Sequence, residues 1–188
     1  MPFNQGELNM NSGNATYASR FTQSGMALPP SQKYAVCKAE CPYFIVAYAD
    51  PPPPVTCMDA RIDPTSAFGI PLGAAHVIRN AGGCAKDALR SLVISQQLLG
   101  TTEVLVVKHT GCGMLTFDNA TARKVVRENR GEAAGQEVEN MDFLPFKELE
   151  QAVLDDVRWL QERPSVGEGI RVTGWIYNVD EGAAKRII

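Results

Sequence analysis

The sequence predicts an α/β domain with a central, mostly parallel β-sheet flanked by helices. Three observations carry this reading. Glu103 to Val107 is a continuous run rich in β-branched residues, the pattern of a strand covered on both faces. Asp87 to Leu99 and Phe146 to Gln161 set their apolar residues at helical spacing. Strand-like and helix-like stretches alternate along 188 residues with 45% hydrophobic content, which suits one core and not two.

The elements follow in order. Residues 1–32 are rich in Asn, Gly, Ser and Gln and contain one helix-like stretch, Asn14 to Thr22. The expectation is an arm over residues 1–34 that stays mobile or lies on a partner subunit, then a single α/β domain over 35–188. Pro51 to Pro54 lack the N–H groups a ladder needs and make a stiff connector into the first core strand. Val55 to Met58 and His76 to Arg79 are the first two strands. The helix from Asp87 carries Ala88, Leu89, Leu92, Val93, Gln96 and Leu99 at its spacing and stops at Gly100. After the central strand come a polar helix, Asp118 to Asn129, and an acidic loop or broken helix, Gly131 to Asp142. Leu149, Val153, Val157 and Leu160 form one stripe on the Phe146–Gln161 helix, and Ile170 to Val179 closes the chain as a strand.

Composition excludes several classes. Eighteen basic and 21 acidic residues give a net charge of -3 without a long run of one sign, so no footprint for nucleic acid or an anionic membrane is present. No apolar run approaches the ~20 residues of a membrane-spanning helix. The opening Met1 to Gly6 lacks the basic start and apolar stretch of a signal peptide, so the expected location is the cytoplasm. The five cysteines, at 37, 41, 57, 84 and 112, are then thiols or metal ligands rather than a disulfide framework.

Cys57 ends the first strand, His109 follows the central strand, and Cys112 sits in the turn beyond it. Strand carboxyl ends are where ligand sites gather in an open parallel sheet. Two cysteines and one histidine suit zinc and suit magnesium or calcium poorly, and three protein ligands leave a coordination position open for chemistry. Asp59 and Arg61 stand beside the first ligand. A carboxylate there can accept a hydrogen bond from zinc-bound hydroxide and orient it, and the guanidinium can keep that carboxylate ionised. Gly82 and Gly83, between the second strand and a helix, let backbone approach an anion such as bicarbonate.

These motifs, Cys57-Met58-Asp59-Ala60-Arg61, His76-Val77-Ile78-Arg79-Asn80-Ala81-Gly82 and His109-Thr110-Gly111-Cys112-Gly113-Met114, resemble the β-class carbonic anhydrase family. The resemblance covers roughly residues 53 to 180 and points to the compact branch that also contains carbonyl sulfide hydrolases. It implies one zinc per subunit on Cys57, His109 and Cys112, with Asp59 and Arg61 as the orienting pair. It also implies a homodimer or homotetramer with the arm packed on the neighbouring subunit. The expected activity is a zinc-dependent lyase reaction, attack of hydroxide on carbon dioxide to give bicarbonate. The alternative is hydrolysis of carbonyl sulfide to hydrogen sulfide and carbon dioxide. Ala74 and Gly111 replace acidic and polar residues common in relatives, which would leave a roomier, less charged approach. Two other classes are a non-catalytic zinc scaffold and a redox-sensing thiol protein. His76 is assigned to packing, Cys84 to a buried structural thiol, and Cys37 with Cys41 lacks further ligands close in sequence.

Overall fold

The computed structural model describes residues 5–22 and 54–188. In them β1 (Pro54–Cys57), β2 (Ile78–Asn80), β3 (Glu103–His109), β4 (Arg171–Asn178) and β5 (Ala183–Arg186) form one sheet in the order β2-β1-β3-β4-β5. The first four strands are parallel, and β5 pairs antiparallel with β4. The fold class is as the sequence predicts. Residues 35–53, including Cys37, Cys41 and most of the proline run, lie outside the described residues, as does the arm from 23 to 34.

The helices are α1 (Gln5–Ser19), α2 (Pro64–Phe68), α3 (Ala85–Gln97), α4 (Asn119–Arg130), α5 (Glu132–Glu137) and α6 (Leu149–Gln161). On one face of the sheet, Ala85, Ala88 and Leu92 of α3 and Val157 and Leu160 of α6 bury Val55, Val104, Val106 and Val172. Elsewhere Ile62, Val107, Met114 and Tyr177 pack with Cys57 and Cys112, and Phe68 of α2 meets the Tyr177 ring edge-on. Among the described residues no helix is long and apolar enough to cross a membrane.

Several boundaries differ from expectation, each for a local reason. Pro54 begins β1 rather than preceding it, because the first residue of a strand tolerates the missing N–H. β3 continues through Lys108 and His109, polar residues that the apolar pattern left out. α6 starts at Leu149 and not Phe146, because the Phe146 amide instead donates to the Met114 carbonyl at 3.3 Å. Gly131, at φ 87°, divides α4 from α5 and gives the broken helix. Two elements were not foreseen. α2 is defined by its termini: Asp63 caps the Ser66 amide, Pro64 opens the helix and left-handed Gly69 ends it. β5 is exposed throughout and has no apolar alternation to betray it. α1 begins at Gln5, well before Asn14, and ends at Ser19; propensity is a weak guide in so polar a stretch.

Gly174 in β4 marks where α6 sits tightest on the sheet, since a Cβ there would overlap side-chain methyls of Val153, Val157 and Ile188. Gly174→Ala therefore overpacks the core and lowers stability by about 1–3 kcal/mol. A thermal melt followed by circular dichroism checks this, and an unchanged midpoint would contradict it.

Candidate functional site

From β1 the chain moves out to β2 on one side and returns through α3 to β3 on the other. The carboxyl ends of β1 and β3 therefore flank a topological switch point, where open parallel sheets place their ligand sites. Cys57 is the last residue of β1 and His109 the last of β3, while Cys112 precedes a short 3-10 turn, Gly113–Leu115. All three are buried, and their ligand atoms lie within 4.8 Å of one another.

The histidine is oriented by its neighbour. Nδ1 lies 2.9 Å from the Thr110 carbonyl, an acceptor, which assigns the proton to Nδ1 and leaves the Nε2 lone pair free. Nε2 is buried and has no hydrogen-bond partner. An unsatisfied buried nitrogen costs about 1–3 kcal/mol unless something else takes its lone pair. Facing two sulfurs, it completes a donor set that fits zinc. Hydrogen bonding between the two thiols holds Cys57 well below the ordinary thiol range, and the same contact pushes Cys112 up. The Asp59 and Gly82 amides also stabilise the Cys57 thiolate. Burial, the largest single influence, would depress the His109 ring, but the Cys57 sulfur, the Thr110 carbonyl and the Asp59 carboxylate together lift it above its ordinary value.

Asp59 stands at the rim. Its Oδ1 accepts from the Arg61 amide and Nε, both at 2.9 Å, and its Oδ2 accepts from Arg61 Nη2 at 2.7 Å. Nη2 also donates to the Gly111 carbonyl at 3.1 Å, and Asp59 Oδ2 lies 3.8 Å from His109 Nε2. Hydrogen bonds from the Arg61 side chain and amide hold the Asp59 carboxyl well below the usual carboxylate range. The structure thus brings Cys57, Asp59, Arg61, His109 and Cys112 together. Gly82 and Gly83 join them from behind: both are buried, at φ 74° and 57°, and a Cβ on Gly83 would come within 3.1 Å of the Cys57 nitrogen.

Three supporting residues escaped the sequence reading. Arg79 of β2 donates to the carbonyls of Cys57 (3.1 Å) and Asp59 (2.7 Å), pinning the loop after β1. Thr110 ties β3 to β4 by donating its amide to the Tyr177 carbonyl and accepting from the Val179 amide. Lys108 is buried within β3 and paired with Asp156 of α6. The available signals were a lysine beside a candidate ligand and a carboxylate on the apolar stripe of α6. His76 is half-buried and bonds Ser95 Oγ through Nδ1 at 2.8 Å. Burial pushes the Cys84 thiol up, in keeping with a structural thiol. Ala74 is buried at 1% exposure, so its size is set by packing and it does not widen an approach.

The family profile described as carbonic anhydrase matches residues 54–184, which contain every one of these site residues. The chain belongs to the β-carbonic anhydrase family. Beta-carbonic anhydrase 1 of Mycobacterium tuberculosis is 32% identical over 175 residues, 93% of each chain. The carbonic anhydrase structure from Glaciozyma antarctica superposes with a TM-score of 0.85 at 34% identity, covering 99% of this chain and 100% of its own. A carbon disulfide hydrolase of Acidianus sp. is 30% identical over 146 residues, 67% of this chain and 72% of its own. The chain is an enzyme of this β-carbonic anhydrase family, whose relatives include proteins named carbonic anhydrase and carbon disulfide hydrolase.

The Asp59–Arg61 pair has a pH signature. Because Asp59 is depressed in the folded state, the stability it adds is full above the unfolded carboxylate pKa of about 3.9 and drains away as pH falls through the folded value. Arg61→Gln should therefore melt below the parent at pH 7, with the gap narrowing below about pH 4. Melts across that range check the sign, and a gap that widens in acid would contradict it.

Proposed function

We propose that the chain hydrates carbon dioxide to bicarbonate, with zinc held by Cys57, His109 and Cys112. The observation that supports this reading is His109 Nε2, without a hydrogen-bond partner, grouped within 4.8 Å of two buried sulfurs and 3.8 Å from Asp59 Oδ2. Bound zinc supplies the Lewis acidity that makes water a nucleophile near neutral pH.

The chain's own residues supply the rest. Asp59, ionised, accepts a hydrogen bond from the attacking oxygen and so turns a lone pair toward the substrate carbon. Both Asp59 oxygens are occupied by Arg61, which supports a carboxylate that orients water rather than one that takes a ligand's place. Arg61 is in turn registered against the Gly111 carbonyl, so the pair is anchored to the loop that carries Cys112. Gly82 and Gly83 back the Cys57 peptide and hold this ligand against the site. The carbon gains one oxygen, and the proton leaves to solvent.

The second reading, hydrolysis of a sulfur-containing analogue such as carbonyl sulfide, is favoured by relatives named carbon disulfide hydrolase. It uses the same residues, and substrate width alone separates the two. A homodimer or homotetramer is part of the proposal. Met58 at 67% exposure and Val77 at 42% flank the edge strand β2 beside the site, and Tyr17 and Phe21 at the end of α1 present rings without cover. A second copy would bury both sets.

Two measurements test the reading. The purified parent should carry one zinc per chain by elemental analysis, and Cys57→Ser or His109→Ala should carry none. On zinc-quantified protein, stopped-flow hydration of carbon dioxide should exceed hydrogen sulfide release from carbonyl sulfide. Asp59→Asn should lower hydration by about 10²-fold with zinc retained. Efficient sulfide release with weak hydration would replace the first reading by the second.

A further inference from the structure

Lys108 is the residue the site has not yet explained. It lies between Val107 and His109 in β3, and its side chain is 3% exposed. Nζ pairs with Asp156 Oδ2 at 2.9 Å and donates to the Gly82 carbonyl at 3.0 Å and the Gly83 carbonyl at 3.4 Å. An ammonium has three donors, and here all three are directed. The Phe146 ring, 4.8 Å from Nζ, covers a further side. Asp156 Oδ2 also accepts from the Ala85 amide at 3.1 Å, so one carboxylate oxygen joins α6, β3 and the start of α3.

Packing alone does not account for this arrangement. Taking an ion pair out of water is costly, and apolar residues of similar volume commonly serve a core as well or better. What an apolar pair cannot do is draw two carbonyls to one point. The turn that Lys108 holds is a wedge: a Cβ at Gly83 would lie 3.1 Å from the Cys57 nitrogen, 3.1 Å from the Thr56 carbonyl carbon and 3.0 Å from the Val107 oxygen. Asn80 closes the same turn by exchanging two hydrogen bonds with Cys84, at 2.9 and 2.7 Å. The turn has no room to shift without moving the Cys57 backbone.

We propose that Lys108 and Asp156 are a positioning pair for the metal centre, fixing the Gly82–Gly83 turn against which Cys57 is set. The inference rests on the reading that Cys57, His109 and Cys112 hold zinc. Partners outside the ligand set commonly change metal affinity by 10–100-fold when removed. Lys108 reaches the turn through the Gly82 and Gly83 carbonyls, and Asp156 holds it there.

The test uses the zinc-loaded full chain and reads zinc transfer to a chromogenic chelator alongside the thermal midpoint. Lys108→Met with Asp156→Leu removes both charges at once, so neither is left buried alone. The double variant should melt at or above the parent yet release zinc about tenfold faster, whereas release within about twofold of the parent would make the pair merely structural and overturn the proposal. Asp156→Asn keeps the side chain's shape and an acceptor for Ala85, and it reads the same rate if the double variant does not fold. Faster release again supports the proposal and parent-like release overturns it. In cobalt-substituted protein, the sulfur-to-metal absorption band should shift in the same variants, and an unshifted band counts against the pair. A parent chain that takes up no zinc overturns the ligand reading itself, and this inference with it.

Discussion

The parallel pairing of β1 with β3 is the constraint from which the site follows. Its register, Val55 against Val106 and Thr56 against Val107, carries Cys57 to the end of one strand just as His109 ends the other. Side chains alternate along a strand, so a slip of one residue would turn Cys57 to the opposite face and take its sulfur away from His109. The register is held on both sides. β2 pairs along the outer edge of β1, Arg79 caps the Cys57 and Asp59 carbonyls, and Gly83 fills the space behind the Cys57 nitrogen so closely that no side chain fits. Glycine at position 83 is therefore a requirement of backbone contact, whereas Gly82 is closed in by the Met114 and Phe146 side chains.

Two ion pairs serve this centre from different dielectric surroundings. Asp59 and Arg61 meet at the rim, where the Arg61 side chain is 50% exposed and water screens the attraction; their value lies in direction, a carboxylate whose two oxygens are fixed near the site. Lys108 and Asp156 meet inside, where an unmatched charge would be very unfavourable and each partner therefore demands the other. Between them the centre itself keeps one unshared nitrogen facing two buried sulfurs. That donor set is one a soft divalent cation such as zinc would fit.

How much of this was legible in the sequence depends on whether a residue's role was local. Cys57, Asp59, Arg61, His109 and Cys112 were readable because their chemistry is carried by residue type, and strand ends are the expected place for it. α3 and α6 were readable because apolar spacing reports burial directly. β5 was not, since an exposed edge strand has no apolar face to show. Asp156 was overlooked for a related reason: a charged residue on an apolar stripe looks like an exception until its partner on another element is known.

The sequence by itself determined the class of fold, and it offered the candidate ligand types and the orienting pair beside them as expectations. Each of these is set by the side chain's own chemistry or by a periodicity within one element. Only the tertiary structure decided that Gly83 lies behind the Cys57 nitrogen and that Lys108 is buried against Asp156. Those outcomes depend on contacts between residues far apart in the chain, whose strength is set by how closely β1, β3, α3 and α6 pack and by how little water remains between them.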